Sequence, residues 1–451
     1  MNKFNQFWSN LRSSFWFLPS LIVLAGIALA AVLIAADSAG SDRWLAQWPR
    51  LFGAGPEAAR GMMSTIAGSM MSVVGVTFSM ILVVLTLASS QYTSRILRNF
   101  MRSRVTQVVL GIFAGIFTYC LIVLRTIRGG DGGAFVPSIA VFFGFVLALG
   151  GVVTLMFFIH HIATSIQASS IIASVAQETI ASIDRLFPQK LGQGPGEEDD
   201  DQGRHPLSER NWRTVPAKQS GYIRSVDNAA LLRLAGERKA VVRMAHGIGA
   251  FVVRDTMLAS VALEDPLDEE TIAALQATFS ISRHRTVDQD AAFGIRQIVD
   301  VALKALSPGI NDTTTAVMGV DYLTTILARI APREIPSSYR YEDGELRVIA
   351  MGPSFESLLA DSFDQIRSNA QGDVAIMLRM LGALQTIAGL TTIPHRRRAL
   401  GAQVRWIAEL ADRTLASTHD RERIDTRLKR VYEALEAEPA LCAGEEKDDS
   451  C

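Results

Sequence analysis

Apolar residues crowd the first part of the chain in four long runs and then thin into a periodic pattern. Residues 15–36 carry no charge, and none lies between Arg60 and Arg95 or in residues 105–124. A fourth run begins near Val136 and reaches about His160. About 20 predominantly apolar residues suffice to cross a bilayer. The chain is therefore expected to cross four times, near residues 15–36, 62–90, 105–125 and 136–160. The first run follows a basic start, Lys3 and Arg12, as a signal peptide does. It exceeds a signal core of roughly 7–15 residues and three more runs follow, so it is read as a retained helix.

Two spans have features beyond length. The chain is uncharged from Gly132 to Gln177, which as one helix would reach roughly 70 Å, about twice the hydrocarbon thickness. The fourth helix is expected to continue out of the bilayer. Its stripe of Ile162, Ile166, Ile172, Val175, Ile180 and Ile183 would then pack on a soluble domain or another subunit. In the second span, Ser64, Gly68 and Ser72 recur every four residues, and Gly75 and Ser79 continue after a step of three. Small residues at this spacing let helix backbones approach closely, so this face either packs tightly or lines a pore. Met62, Met63, Met70, Met71 and Met80 add flexible bulk nearby.

Behind the spans, residues 1–187 counting as the membrane part with its extension, the pattern changes. Residues 188–218 read as a flexible acidic linker, with Gly192, Gly194, Pro195, Gly196 and the acidic run 197–201. Residues 219–263 alternate like short strands and predict a small β-rich module, a barrel or sandwich, with Asp227 as a cap and Gly247 and Gly249 at a turn. Residues 264–437 read as mainly helical, with helices near 267–280, 288–306, 312–330, 355–369, 373–388, 395–415 and 420–437. Asp343-Gly344 between two alternating stretches predicts a β-hairpin. Residues 438–451 form a charged tail. The predicted fold class is mainly α: a four-helix transmembrane region, then a β-rich module and a helical subdomain.

Charge sets the orientation. The loop after the second span carries Arg95, Arg98, Arg102 and Arg104 and no acid. Arginine-rich short loops stay inside, so both termini are expected in the cytoplasm of a bacterium bounded by this inner membrane. The same loop is suited to anionic lipid headgroups. Trp8 and Trp16 on one side, with Trp44 and Trp48 on the other, suit interfacial anchors. The formal net charge of −1 excludes a nucleic-acid partner recognised by bulk charge. Cys120, Cys442 and Cys451 are odd in number and lack paired spacing, so neither a disulfide framework nor a zinc cluster is expected.

The densest polar stretch of the helical part runs from Arg283 to Asp312. Arg285, Asp288, Asp290, Arg296 and Asp300 suit an ionic network, and Asp312 precedes a helix as a cap does. Gln289, Ser307 and Asn311 complete a candidate ligand or coupling site. Ser307-Pro-Gly309 stops the preceding helix. His160 and His161 are adjacent, so on a helix they diverge by about 100° and make no chelating pair. Arg396-Arg-Arg398 reads as the solvated start of a helix. No catalytic motif is present: no nucleophile elbow, phosphate loop, His-Glu-x-x-His or kinase signature. No cofactor is implied. Apart from Arg125, which closes the third, the four spans hold no Asp, Glu, Lys or Arg, which argues against a proton-driven transporter.

The motifs Arg285-Thr-Val-Asp-Gln-Asp290 and Ala305-Leu-Ser-Pro-Gly-Ile-Asn-Asp312, with Phe78-Ser79, Ser89-Ser-Gln-Tyr92 and the His160-His161 pair, resemble the bacterial membrane proteins of domain-of-unknown-function family 2254. The resemblance covers about residues 10 to 435. It implies four membrane helices and a cytoplasmic region, and transfers no catalytic role. Two readings then stand: an oligomeric channel with a cytoplasmic regulatory domain, or a non-conducting membrane-anchored sensor or scaffold that binds a ligand or protein.

Overall fold

Four helices have the length and apolarity to cross a membrane in the computed structural model, which describes residues 16–38, 55–91, 104–129, 135–165, 167–187, 211–263 and 266–437. They are α1 (Phe17–Ser38), α2 (Pro56–Gln91), α3 (Arg104–Thr126) and α4 (Ser138–Ser165). The chain divides into two compact units, residues 1–167 and 168–451.

In the first unit α3 is the central helix. It is buried on both sides by Phe113, Ile116, Tyr119 and Val123, while outward residues such as Leu24, Val76, Leu149 and Phe157 are exposed. Only a bilayer makes so large an exposed apolar belt acceptable. α1 lies along α3 with glycines at the crossing. A Cβ on Gly26 would stand 3.0 Å from the Gly115 carbonyl, and one on Gly111 would stand 3.0 Å from Cα of Pro19. Met63 and Met70 of α2 sit in the notches left by Gly144 and Gly151 of α4. The step of seven is the same on both helices, as expected for two parallel spans separated by one that returns.

Polar groups at the helix ends are partnered across the bundle. The carboxylate of Asp37, at the end of α1, accepts from the amides of Ile139 and Ala140 at 3.1 Å each, satisfying the orphan donors at the start of α4. Arg60 donates to the Ile127 carbonyl just past α3. The Tyr119 hydroxyl donates to the Ala140 carbonyl at 2.7 Å.

The expected continuation of α4 differs from the structure. α4 ends at Ser165, and a separate helix α5 (Ala168–Leu186) begins after a bend at Gln167. α5 belongs to the second unit and packs there on α8 (Ala291–Ala305) and α9 (Thr313–Ile330). The contact is close at Gly294 of α8, where a Cβ would collide with Thr179. Ile172, Val175 and Ile183 of the anticipated stripe are buried.

The second unit begins with strands. β1 (Trp212–Pro216) falls within the stretch read as linker; residues 188–210 of that stretch lie outside the described residues, as does the tail 438–451. β2 (Gly221–Val226), α6 (Asn228–Glu237), β3 (Val241–Met244), β4 (Phe251–Val252), β5 (Met257–Ala262), α7 (Glu269–Ala277) and β6 (Phe279–Ser282) follow. Asp227 caps α6 as expected, accepting from the Ala230 amide. The helix predicted over 267–280 stops at Ala277. Phe279-Ser-Ile-Ser282 alternates and pairs with β2 instead, so tertiary pairing overrides the local helical pattern.

The strands do not close into a self-contained barrel. They form two sheets, ordered β1-β5-β3-β8-β7 and β4-β2-β6. The first needs the hairpin β7 (Tyr339–Glu342) and β8 (Glu345–Ile349), which adds β8 parallel to β3. Parallel addition across so long a crossover covers an edge that β3 would otherwise expose. Asp343 and Gly344 both have positive φ, 52° and 77°, the conformation of a two-residue type I′ turn. Ile223, Leu231, Leu258 and Val261 fill the core between sheets and helices.

The remaining helices are α10 (Phe355–Asn369), α11 (Val374–Ala388), α12 (Pro394–Thr414) and α13 (Thr418–Glu436). Arg396 and Arg397, expected in solvent at the start of α12, are instead the C-terminal caps of other helices. Arg396 is 0% exposed. Its Nη1 donates to the carbonyls of Ile330, Ala331 and Arg333 at the end of α9. Arg397 donates to the carbonyls of Ala388, the last residue of α11, and Thr391 just past it, and to those of Ala434, Leu435 and Ala437 at the end of α13. A guanidinium offers five donors, which suits it to carbonyls left without intrahelical partners. Arg398 alone keeps the expected exposure.

Candidate functional site

The segment Arg285–Asp290 connects β6 to α8 and is held from several sides. Val287 is buried, and the Ser182 hydroxyl of α5 donates to the carbonyls of Val287 and Asp288. Gln289 Oε1 accepts from the Val226 amide at the end of β2. Asp290 is 5% exposed. It accepts from Nε and Nη2 of Arg285 at 2.8 and 2.9 Å, and its Oδ1 also accepts from the Phe293 amide. One carboxylate thus closes a bidentate ion pair and caps α8, the arrangement in which a buried charge is best compensated. The guanidinium of Arg285 also stands 5.0 Å from the centre of the Phe293 ring.

Gly249 is explained by this pair, and Gly247 by the Met351 backbone. Gly249 has φ +88°, and a Cβ there would lie 2.5 Å from Asp290 Oδ2 and 2.7 Å from Arg285 Nη2. A Cβ on Gly247 would lie 2.9 Å from the Met351 carbonyl. Gly249 lays its backbone directly over the ion pair.

Between that loop and the start of α8 opens a cleft of about 390 Å³. Phe187, Val226, Met244, Ile248, Ile335 and Met351 give it apolar walls. Asn228, Gln289, Ser337, Ser338 and Arg340 give it polar ones, with Asp290, Ala291 and Ala292 at the helix start. A largely apolar concavity with a few convergent polar groups is the usual form of a small-molecule site. The Asp290 carboxylate is already committed to Arg285 and to the cap, so what the lining presents to a guest is apolar surface, amide and hydroxyl groups and the Arg340 side chain. Among the described residues no group of His, Cys, Asp and Glu is placed to hold a metal ion.

The residues singled out in the sequence separate into distinct places. Arg285, Gln289 and Asp290 come together beneath the glycine loop. Asp288 turns outward and pairs with Arg224 at 3.6 Å. Arg296 pairs with Asp300 one turn on, at 2.9 Å. These three ion pairs share no residue, where a single network was expected. Ser307, Asn311 and Asp312 lie at the far end of α8, roughly 20 Å away at 1.5 Å per residue. There Asp312 caps α9, accepting from the Thr315 amide at 3.0 Å and from the Thr315 hydroxyl. These bonds hold its carboxyl below the usual range. Asn311 has φ 50°, which asparagine tolerates better than most residues.

In the first unit Ser64, Gly68, Ser72, Gly75 and Ser79 are all exposed, and nothing lies within 4 Å of a Cβ placed on Gly68 or Gly75. The close helix packing is elsewhere, at Gly26, Gly111 and Gly115. The Gly111-x-x-x-Gly115 spacing was the sequence signal for it. Arg95, Arg98 and Arg102 lie outside the described residues, and Arg104 is the exposed first residue of α3. His161 contacts the Ser165 hydroxyl at 3.4 Å and stacks on Phe157, while His160 faces outward.

The family model described as a predicted membrane protein, DUF2254, matches residues 12–386. An uncharacterized protein of Mycobacterium tuberculosis is 31% identical over 445 residues, covering 94% of this chain and 81% of that protein. An uncharacterized protein of Mycobacterium bovis matches with the same figures. No solved structure gives a significant match.

Proposed function

This chain belongs to the DUF2254 family of predicted membrane proteins, and we propose that it is a membrane-anchored binding protein whose second unit takes a small, partly apolar molecule into the cleft beside Arg285–Asp290. The observation that carries this reading is the cleft itself. Gly247, the start of α8 and Asp290, whose carboxylate is held by Arg285, border one 390 Å³ concavity. A committed ion pair makes a rigid wall, and rigid walls lower the ordering cost of binding. The arginine-rich segment 95–104 favours an orientation with both termini in the cytoplasm of the inner membrane. The cleft then faces cytoplasmic ligands, and the membrane part serves as anchor.

A second reading, a homo-oligomeric pore, is favoured by one observation, the exposed small-residue face of α2. The interior of a single four-helix unit is filled by Met63, Met70, Phe113, Tyr119 and Phe158, so conduction would require several copies.

Native mass spectrometry of the full-length protein, purified in mild detergent, tests the binding reading. A bound species of a few hundred daltons is expected on the wild type and absent from Ala250→Phe, which fills the cleft, at matched circular dichroism. If the wild type carries no such species, and reconstituted protein passes ions through liposomes in a way that Gly75→Leu abolishes, the pore reading replaces it.

A further inference from the structure

The helical end of the second unit holds a second concavity that shares no residue with the cleft. Helices α9, α11 and α13 enclose a groove of about 770 Å³ lined by Asp321, Arg379, Gly382, Arg423 and Arg427 among others. It runs on along α13 into a hollow of about 390 Å³, which shares Arg423 and Arg427 and adds Arg430. Arg423, Arg427 and Arg430 follow one another at steps of four and three, so they stand on one face of α13.

Their partners are unequally distributed. Arg379 is paired with Asp321. Arg423 reaches Asp420 at 3.4 Å. Arg427 and Arg430 engage no carboxylate and no hydrogen-bond acceptor among the described residues, and Nε of Arg427 is buried without a partner. Asp321 and Glu422 are the carboxylates of the lining. The position of Arg427 is nevertheless fixed. Its guanidinium lies against α11 where Gly382 has no side chain, and a Cβ there would come 2.5 Å from Nη2. The Gly382 carbonyl beside it already receives the Thr386 hydroxyl.

A guanidinium held against Gly382 with no acceptor among the described residues, in the lining of a groove of ligand size, calls for an anionic acceptor. Two arginines three residues apart on a helix can grip a tetrahedral dianion from two sides, and the planar fork matches phosphate oxygens. We propose that the groove between α9, α11 and α13 binds a phosphate-bearing anion held by the guanidinium groups of Arg427 and Arg430. Phosphate of this kind comes from a free metabolite or from a lipid headgroup.

The test uses the full-length protein in zwitterionic detergent and isothermal titration with two probes, inorganic pyrophosphate and dihexanoyl phosphatidic acid, with dihexanoyl phosphatidylcholine as blank. Saturable binding of at least one probe is expected, weakened about tenfold or more by Arg427→Gln and by Arg430→Gln, since losing one charged hydrogen bond is of that order. Arg254→Gln, an exposed arginine outside the groove, should leave binding unchanged. Pyrophosphate alone would identify a free anion, and phosphatidic acid alone a headgroup. Unfolding temperatures without probe separate loss of binding from loss of fold, and Arg430→Gln carries the test if Arg427→Gln unfolds. No saturable binding of either probe, or binding that Arg254→Gln weakens as much as Arg430→Gln, would overturn the proposal. Neither result bears on the cleft beside Arg285.

Discussion

Nη1 of Arg396 lies 3.0 Å from the backbone oxygen of Ala331, at the point where α9 ends inside the protein. The last carbonyls of a helix have no intrahelical donors, and at a buried end water cannot supply them. The chain solves this with arginines borrowed from elsewhere. Arg333 donates to the carbonyls of Phe187 and Ile183 at the end of α5 and pairs with Asp184 at 2.6 Å. Arg421 donates to the Leu415 carbonyl after α12. Arg396 and Arg397 serve α9, α11 and α13. Each cation also meets the negative end of a helix dipole.

Replacing Arg396 by methionine should therefore be costly, although methionine fills much of the same volume. At least two charged hydrogen bonds disappear, at about 1.5 kcal/mol or more each, so a loss of roughly 3 kcal/mol is expected. Arg396→Lys should recover only part, because an ammonium cannot span the same carbonyls. Arg398→Met, two residues on and exposed, should change stability by no more than about 0.5 kcal/mol. Urea unfolding of the full-length protein followed by tryptophan fluorescence measures all three. Equal effects at Arg396 and Arg398 would remove the capping account.

The spans were legible because four charge-free runs admit few alternatives, and the caps at Asp227 and Asp312 were legible because capping is local. The burial of Arg396 was not. Its reason lies 65 residues away at Ala331, and three adjacent arginines look alike whether they face water or a helix end. The same holds for the glycine loop. Gly247 and Gly249 mark a turn in the sequence, but the need for bare backbone comes from Met351 at the first and from Arg285 and Asp290 at the second, which only folding brings there. β6 was hidden because Phe279–Ser282 directly follows a helix and pairs with a strand more than fifty residues earlier.

Acid should weaken the second unit through identifiable carboxylates. The Asp312 carboxyl is held low by the Thr315 hydroxyl and amide, and that of Asp184 by hydrogen bonds and charge from Arg329 and Arg333. A carboxyl whose folded value lies below its unfolded one contributes stability that is complete above the unfolded value, near about 4. The contribution is lost as pH falls through the lower folded value. Asp312→Ala should cost about 1 kcal/mol at pH 7, the usual worth of such a cap, and the same at pH 5. The gap from wild type should then close progressively below about pH 4. Unfolding curves at pH 7, 5, 4 and 3 would reveal it, and a gap that stays constant to pH 3 would mean the carboxylate charge contributes nothing.

Glycines in the membrane unit should fall into two classes. Gly111 has Pro19 and Ile22 so close that an added Cβ would lie 2.8 Å from Ile22 Cδ1. Gly111→Leu must push α1 off α3, and overpacking of this kind costs about 1–3 kcal/mol or more. Gly75 faces outward with nothing within 4 Å, so Gly75→Leu has room in an isolated chain and should leave its unfolding temperature in detergent unchanged. Among the described residues nothing meets a Cβ at Gly75, so an effect of Gly75→Leu on assembly points to a second copy or to lipid. Size-exclusion chromatography with light scattering then tells which neighbour. A particle that falls from oligomer to monomer on Gly75→Leu, while Gly111→Leu merely loses thermal stability, makes the small-residue face of α2 a seam between copies. Unchanged particle mass in Gly75→Leu leaves that face to lipid, and with it goes the one observation that favours a pore.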